Sequence, residues 1–161
     1  YRKPLVIMTP KSLLRHPQAV SPLRDFSEGW FCPVLGDDEV DAGQVERAVL
    51  CSGKVYFELL EHRRQLGSDK VAILRVEQLY PFREDLVSDE LDRFGKLREI
   101  VWCQEEPMNM GAWTAMMPGL QELSKHPVRY VGRAPAAAPA TGSPHLHDRE
   151  QADLVRRAVE I

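Results

Sequence analysis

The hydrophobic and polar positions of the chain alternate between short apolar runs and longer amphipathic segments. Apolar, β-branched runs bounded by turn residues predict strands, whereas apolar residues three or four positions apart predict helices that bury one face. From residue 47 onward the two patterns alternate regularly. This region is predicted to contain strands at residues 47–51, 70–76, 98–103 and 128–131, and helices at residues 54–65, 83–94 and 111–125.

Particular residues predict where two helices begin or end. Ser143 is a typical N-cap residue and Pro144 follows at the first helical position, so a terminal helix is predicted to start there. Gly95 follows the helix at residues 83–94, at the position where a glycine in the left-handed conformation ends many helices.

Residues 1–45 do not follow this alternation. Residues 5–8 form an apolar run of the kind found in buried parallel strands, but no partner strand is evident nearby. Prolines interrupt residues 11–27, which we interpret as an ordered linker with two helical turns at most. Residues 31–35 predict a short strand, and residues 36–43 an acidic loop that we expect to be solvated.

Strands this close together, joined by helices of about a dozen residues, indicate right-handed crossovers and a largely parallel sheet. Helices are then expected on both faces of that sheet. The predicted class is α/β with three layers, α/β/α. The 161 residues are enough for one domain with a single core.

Composition narrows the classes of function. Charged residues make up 28% of the chain and the net charge is −3, so no basic excess suits the phosphate backbone of a nucleic acid. No apolar run approaches the ~20 residues that a membrane-spanning helix needs. We therefore expect a protein of the bacterial cytoplasm, or of the mitochondrial matrix in a eukaryote, without nucleic-acid or membrane partners.

No residue pattern predicts a metal site. Cys32, Cys51 and Cys103 lie far apart without a Cys-x-x-Cys pair, which favours reduced, mostly buried thiols over a zinc site or a disulfide framework. His145 and His147 form a close pair, but the neighbouring sequence offers no third ligand.

The first candidate for chemistry is Gln104-Glu105-Glu106, which follows a predicted strand and precedes Pro107. Paired carboxylates can perform acid–base catalysis if burial separates their pKa values. However, adjacent residues of an extended segment point to opposite sides, so they would not share one substrate proton. A role in organising the loop or an interface is favoured over catalysis.

Ser52-Gly53-Lys54 is the second candidate, because it follows a strand and opens a helix. Free backbone amides and a cation could converge there on an anion. The motif lacks the spacing of a Walker loop, and a serine cap beside an exposed lysine is the more frequent explanation of such a turn.

The third candidate comprises Thr9, Lys11, Ser12 and Arg15, at the carboxyl end of the first apolar run. Together with the turn at Ser52-Gly53-Lys54 it could form one phosphate-sized pocket. Alternatively, Lys11 and Arg15 are solvent-facing neighbours on one short helix.

Five motifs spread over nearly the whole chain are distinctive. They are Thr9-Pro-Lys-Ser-Leu-Leu-Arg15, Leu50-Cys-Ser-Gly-Lys-Val-Tyr56, Arg75-Val-Glu-Gln-Leu-Tyr-Pro-Phe82, Trp102-Cys-Gln-Glu-Glu-Pro107 and Tyr130-Val-Gly-Arg-Ala-Pro-Ala-Ala-Ala-Pro-Ala-Thr-Gly142. In this order they resemble the C-terminal region of the 2-oxoglutarate dehydrogenase E1 component family. The resemblance implies a domain like the C-terminal domain of transketolase, with a mixed five-stranded, mostly parallel sheet whose antiparallel strand is at residues 31–35.

The resemblance also implies a division of the chain. Residues 1–28 would be the last strand of a preceding pyrimidine-binding domain plus a linker, and residues 29–161 the transketolase-like domain. This assignment would explain the missing partner of the strand at residues 5–8. A sequence that begins at Tyr1 and not at Met would then be a fragment of a longer chain.

For function, the resemblance implies an enzyme that uses thiamine diphosphate and Mg²⁺ to decarboxylate 2-oxoglutarate oxidatively. The enzyme is a homodimer that passes the succinyl group to a lipoyl-bearing E2 succinyltransferase. The Gly-Asp-Gly motif that holds the cofactor in this family does not occur here. The segment is therefore expected to contain no catalytic residue and no thiamine diphosphate site, and to support the dimer.

Some members of the family bind acetyl-CoA as an activator near the turns that match residues 9–12 and 52–54. This favours an allosteric phosphate pocket at those turns. Two alternatives remain open: the paralogous enzyme that acts on 2-oxoadipate, and a stand-alone acetyl-CoA or nucleotide-binding module.

Overall fold

The computed structural model describes residues 2–161 and divides into two units, one ending at Phe31 and one running from Cys32 to Ile161. The first unit contains a 3-10 turn at Lys11–Arg15 and the short helix α1 at Arg24–Ser27. These two turns agree with the interrupted helix that the prolines of this region predict.

Residues 5–8 contain no strand, so the strand predicted there is absent from the described structure. Their apolar side chains are exposed, from 73% at Ile7 to 90% at Met8. A strand is defined by hydrogen bonds to a neighbour, and the described residues supply none here. The assignment of residues 1–28 to a preceding domain plus linker stays a prediction.

The second unit contains all five strands and the four longer helices. Its strands are β1 (Val34–Leu35), β2 (Arg47–Cys51), β3 (Val71–Val76), β4 (Glu99–Pro107) and β5 (Val128–Arg133). Its helices are α2 (Val55–Leu66), α3 (Glu84–Asp92), α4 (Trp113–Leu123) and α5 (Pro144–Val159).

The sheet has the order β1-β3-β2-β4-β5. β1 pairs antiparallel with β3, and all other pairs are parallel. The predicted mixed, mostly parallel five-stranded sheet is thus confirmed, together with its antiparallel edge strand. The four parallel strands end at the same edge of the sheet, and this edge carries most of the motifs singled out from the sequence.

The core lies in two layers, one on each face of the sheet. On one face, Leu50, Ile100 and Trp102 pack against side chains of α3 and α4. On the other face, Val49 and Val101 pack against side chains of α2 and α5. Because alternate residues of a strand point to opposite faces, the strands are apolar at consecutive positions, as buried parallel strands require.

The helix ends agree with the sequence in one case and differ in another. Ser143 caps α5 by accepting a hydrogen bond from the backbone N–H of Leu146 at 3.5 Å, as predicted. The prediction for Gly95 is wrong, since among the described glycines only Gly53, Gly67 and Gly111 have positive φ. α3 ends earlier, and the following chain turns inward to bury Phe94.

The acidic loop at residues 36–43 is not simply solvated, contrary to expectation. Asp37 is buried, and its carboxylate accepts hydrogen bonds from the buried guanidinium of Arg63 and from the backbone N–H of Ile73, the latter at 2.8 Å. Arg63 also donates to the carbonyl of Val71 at 3.3 Å. This buried pair fastens the loop to α2 and β3. The sequence does not reveal this pair, because its pattern gives no sign that this Asp and this Arg are buried and not exposed.

We expect Arg63→Met to destabilise the fold strongly, because it leaves the buried carboxylate of Asp37 without its cation. The loss should be about 3–5 kcal/mol of unfolding free energy, the usual cost of removing one partner from a buried ion pair. The control is Arg64→Met, since Arg64 pairs with Glu39 at the surface and exposed pairs contribute about 1 kcal/mol or less. Chemical denaturation of both variants tests this; equal losses would contradict it.

The thiols should differ in reactivity. Burial raises the pKa of Cys103 to about 12 and that of Cys51 well above its ordinary value, so neither forms a thiolate at neutral pH. Cys32 is only half-buried. With a chromogenic disulfide at pH 8, we expect at most one of the three cysteines of the sequence to react in the native protein and all three in denaturant. Fast reaction of two or more native thiols would disprove this.

Candidate functional site

The carboxyl edge of the sheet contains a point where the chain divides between the two faces. β2 and β4 are neighbours, but β2 leads into α2 on one face and β4 leads towards α4 on the other. In open α/β sheets, a crevice forms between two such strands, and ligands bind there. Ser52-Gly53-Lys54 follows β2, and Gln104-Glu105-Glu106 belongs to β4. The structure therefore brings the first two candidate motifs together.

β4 continues further than the sequence indicates. It was predicted to end at Cys103, with Gln104 and the two glutamates in a loop, but the strand extends to Pro107. β2 already ends at Cys51, opposite Cys103, so no neighbour on that side requires an N–H from Pro107. The pairing of β4 with β5 is irregular between Cys103 and Pro107, and then resumes with Pro107 opposite Arg133.

Gln104 organises the turn between β4 and α4. Its side-chain oxygen accepts hydrogen bonds from Trp102 Nε1 at 2.9 Å and from the backbone N–H groups of Ala112 and Trp113 at 3.1 and 2.9 Å. Its side-chain nitrogen donates to the Met110 carbonyl at 2.7 Å and lies 3.2 and 3.3 Å from two further carbonyls of the same turn. One buried amide thus caps α4 and closes the turn.

Gly111 makes this arrangement sterically feasible. Its φ of 66° lies in the left-handed region, and a Cβ atom at this position would come within 2.8 Å of Gln104 Nε2. The glycine is therefore required by its backbone conformation and by the close approach of the amide.

Glu105 and Glu106 point to opposite sides of β4, as expected for adjacent residues of an extended segment. Glu105 forms an ion pair with Lys54, which also lies 3.5 Å from Glu58 on α2. Glu106 instead lines a cavity on the face that carries α4. The two carboxylates do not share a site, which removes the geometric basis for paired acid–base catalysis.

The cation predicted to be free for an anion is thus already paired. Burial opposes the charge of Lys54, but the hydrogen bonds and charges of Glu105 and Glu58 outweigh it and raise the pKa of the ammonium group. Lys54 therefore stays protonated at neutral pH and neutralises the strand end. An incoming anion would have to displace these carboxylates.

A closed circuit of polar groups extends from this ion pair. Arg133 donates to the Glu105 carbonyl and, at 3.0 Å, to Gln151 Oε1 on α5. Gln151 Nε2 in turn donates to Glu58 at 2.9 Å, and Glu58 leads back to Lys54. The circuit ties β4, β5, α2 and α5 together at one edge, so this edge has the character of a rigid scaffold.

His147 belongs to the same region. Its Nδ1 lies 3.2 Å from a terminal guanidinium nitrogen of Arg133. The Nε of the same arginine donates to Glu150 at 2.9 Å. Within residues 2–161, no group of three or more His, Cys, Asp or Glu could hold a metal ion.

The third candidate motif belongs to the first unit. Thr9, Lys11, Ser12 and Arg15 are all exposed, and Lys11 to Arg15 form the 3-10 turn. Their combination with Ser52, Gly53 and Lys54 in one phosphate pocket stays a prediction.

Sequence reasoning missed a cavity of about 800 Å³ on the α4 side of the crevice. Its wall includes Leu79, Tyr80, Pro81 and Phe82, from the segment between β3 and α3, and Trp102 from β4. The Leu-Tyr-Pro-Phe motif was evident in the sequence, but nothing in its pattern shows that it faces the end of β4 across a cavity. In residues 2–161, we find no helix of the length and apolarity that crossing a membrane requires.

A comparison with protein families matches residues 20–159 to the family described as 2-oxoglutarate dehydrogenase C-terminal. Among curated relatives, the 2-oxoglutarate dehydrogenase E1 component of Azotobacter vinelandii is 46% identical over 99% of this chain and 18% of its own length. That of Haemophilus influenzae is 45% identical over 99% of this chain and 17% of its own length. That of Brucella anthropi is 50% identical over 91% of this chain and 16% of its own length. The chain thus spans less than a fifth of these relatives.

Among solved structures, a split-gene transketolase described as an inactive beta4 tetramer has a TM-score of 0.57. It covers 80% of this chain and 43% of its own, with 19% sequence identity. At this identity the likeness concerns the fold alone.

We expect Gln104→Leu to destabilise the protein by about 3 kcal/mol or more, because the buried Trp102 N–H and two backbone N–H groups lose their acceptor. The turn at residues 107–112 and the start of α4 should loosen with it. Gln121→Leu on the exposed face of α4 is the matched control and should change stability by ~0.5 kcal/mol at most. Chemical denaturation and amide hydrogen exchange of the turn provide the measurements; near-equal stability of the two variants would contradict the role assigned to Gln104.

Proposed function

The chain belongs to the 2-oxoglutarate dehydrogenase C-terminal family, and from this premise we propose that it is the C-terminal domain of an E1 component. In this proposal the complete protein decarboxylates 2-oxoglutarate oxidatively with thiamine diphosphate and passes a succinyl group to a lipoyl-bearing E2 succinyltransferase. It acts as a homodimer in the bacterial cytoplasm, or in the mitochondrial matrix if the source is eukaryotic. The family match over residues 20–159 carries the proposal.

The residues of this chain do not fit thiamine diphosphate or its Mg²⁺. The sequence lacks Gly-Asp-Gly, and the described residues offer no cluster of three potential metal ligands. We therefore propose that the cofactor and the metal ion bind to other parts of the complete protein, where they supply the electron sink and the anchoring of the diphosphate. The role of this chain is to support that centre and the dimer.

The carboxyl edge favours a supporting role. A catalytic edge requires groups that can bind or release a proton or a substrate, but here Lys54, Glu105, Glu58, Gln151 and Arg133 bond to one another. Such a circuit holds β4, β5 and two helices in fixed positions. We propose that Gln104, Glu105 and Glu106 act at this edge as loop and interface residues and not as catalysts.

We further propose an allosteric acetyl-CoA or phosphate site formed by Thr9, Lys11, Ser12 and Arg15 with Ser52, Gly53 and Lys54. Support for it comes from the chemistry of the residues: three cations, two hydroxyl-bearing turns, and the N-terminus of α2. The ion pair of Lys54 gives the site a mechanism. A bound phosphate would compete with Glu105 for the ammonium group and thereby loosen the circuit at the end of β4.

We expect Lys54→Ala, in the complete protein, to weaken activation by acetyl-CoA at least fivefold while unstimulated turnover of 2-oxoglutarate stays within twofold of wild type. Lys11→Ala should behave likewise. Lys70→Ala is the control, because this lysine pairs with Glu46 at the amino end of β3. The measurement is the steady-state rate with and without acetyl-CoA, alongside sedimentation analysis of the dimer.

The two proposals fail separately in this experiment. Unchanged activation in both variants would contradict the proposed allosteric site without affecting the proposed supporting role. A hundredfold loss of unstimulated turnover in a properly assembled dimer would contradict the supporting role. If the wild-type protein turned over 2-oxoadipate in preference to 2-oxoglutarate, the substrate assignment would pass to the paralogous enzyme.

A further inference from the structure

The cavity beside the end of β4 has the size and the walls of a small-molecule site. Its volume of about 800 Å³ falls within the ~300–1,000 Å³ typical of ligand pockets. The walls are apolar and aromatic over most of their extent. Leu79, Tyr80, Phe82 and Ala115 contribute accessible surface, whereas Trp102 and Met116 behind them are 1% and 3% exposed.

One wall of the cavity is shaped by close packing between a glycine of α4 and the segment that precedes α3. Gly119 lies inside α4, where glycine costs about 1 kcal/mol relative to alanine. A Cβ atom there would come within 3.0 Å of the Phe82 ring and 3.4 Å of Glu84 Oε1. The glycine therefore lets the segment before α3 pack directly on α4, and this contact brings Phe82 and Glu84 to the cavity.

The polar groups that remain for a ligand are few. The amide of Gln104 also lines the cavity, but its oxygen and its nitrogen are both engaged in the turn before α4. This leaves the carboxylates of Glu84 and Glu106 and the hydroxyls of Ser52 and Tyr80 as polar side-chain groups along the lining. The lining includes no Lys, Arg or His.

Two cations that could be expected to neutralise these carboxylates, Arg83 beside Glu84 in the sequence and Lys54 at the end of β4, pair with other acids. Arg83 pairs with Asp85 through two hydrogen bonds, at 2.8 and 2.5 Å. Lys54 pairs with Glu105 on the opposite side of β4. Among residues 2–161, no Lys, Arg or His lies within ion-pair distance of the Glu84 or Glu106 carboxylate.

The position of Glu84 at the first residue of α3 complements the helix dipole, which favours an acidic side chain there. That interaction does not use up its hydrogen-bonding capacity, and it does not explain Glu106, which belongs to β4. Two negative charges around an aromatic-walled cavity without a positive side chain create a field that attracts cations. Aromatic rings add to this attraction when a cation lies over their faces.

We propose that this cavity binds a small organic cation, with its apolar body against Tyr80, Phe82 and Ala115 and its ammonium or guanidinium group at Glu84 or Glu106. The site borders the proposed phosphate site, since Ser52 and Gly53 belong to both, but it takes a ligand of opposite charge and uses neither Lys54 nor the first unit. It does not depend on the function proposed above.

Three probes with the same phenyl body separate charge from shape. They are 2-phenylethylamine, 2-phenylethanol and 3-phenylpropionate, which are cationic, neutral and anionic at pH 7. Titration calorimetry of the complete protein should show the amine binding at least tenfold more tightly than the other two. Raising the salt concentration should lower the affinity for the amine and leave the affinity for the alcohol unchanged, because salt screens only the charged ligand.

Two pairs of variants locate the binding. Ala115→Trp places an indole at an exposed position of the cavity lining and should weaken binding of the amine at least tenfold. Thr114→Trp, at the neighbouring exposed position of α4 outside the lining, should leave the affinity unchanged. Glu106→Gln should lower the preference for amine over alcohol at least threefold, whereas Glu122→Gln, exposed on α4 and outside the lining, should preserve it.

Equal affinities for the three probes would overturn the proposal. So would the absence of detectable amine binding at ~10 mM, because a dissociation constant of that size corresponds to only about 3 kcal/mol of binding free energy. Amine binding that survives both Ala115→Trp and Glu106→Gln would place the ligand elsewhere and overturn it as well. The substituted residues are exposed, so these variants are expected to fold, and thermal unfolding checks this directly.

Discussion

The ion pair between Lys54 and Glu105 lies where the fold divides, between the end of β2 and the end of β4. These strands are neighbours in the sheet, but their following helices cover opposite faces, so the space between the strand ends is not filled by backbone. The pair bridges this space, and the circuit through Glu58, Gln151 and Arg133 extends the bridge to α5 and β5. Together these contacts join two helices and two strands at one edge of the sheet.

At its carboxyl end, β4 makes different contacts on its two sides. On the α2 side, the carboxylate of Glu105 is neutralised and hydrogen-bonded, and the edge is rigid. On the α4 side, Gln104 closes the turn by itself, and Glu106 is left without a cation beside an aromatic cavity. Since adjacent residues of a strand face opposite ways, one tripeptide produces both a scaffold and an open site.

Buried charge has a further part in the fold. Asp37 and Arg63 are both almost inaccessible to water, and each makes hydrogen bonds beyond the ion pair, to the backbone of β3. Such a pair contributes little net stability compared with apolar packing, but it tolerates only one arrangement of its partners. It thereby fixes how the segment after the two-residue edge strand β1 lies on α2 and β3.

The sequence by itself determined the class of the fold, the parallel strands at residues 47–51 and 70–76, the cap of α5 at Ser143 and the family, because each depends on local patterns of apolar, capping or motif residues. Only the tertiary structure decided what depends on distant partners. The strand predicted at residues 98–103 continues to Pro107 because β5 pairs with it there, and the acidic loop is partly buried because Arg63 meets Asp37. Lys54 is paired because Glu105, 51 positions away, faces it. The cavity, likewise, is formed by residues from four separate segments whose proximity no local pattern encodes.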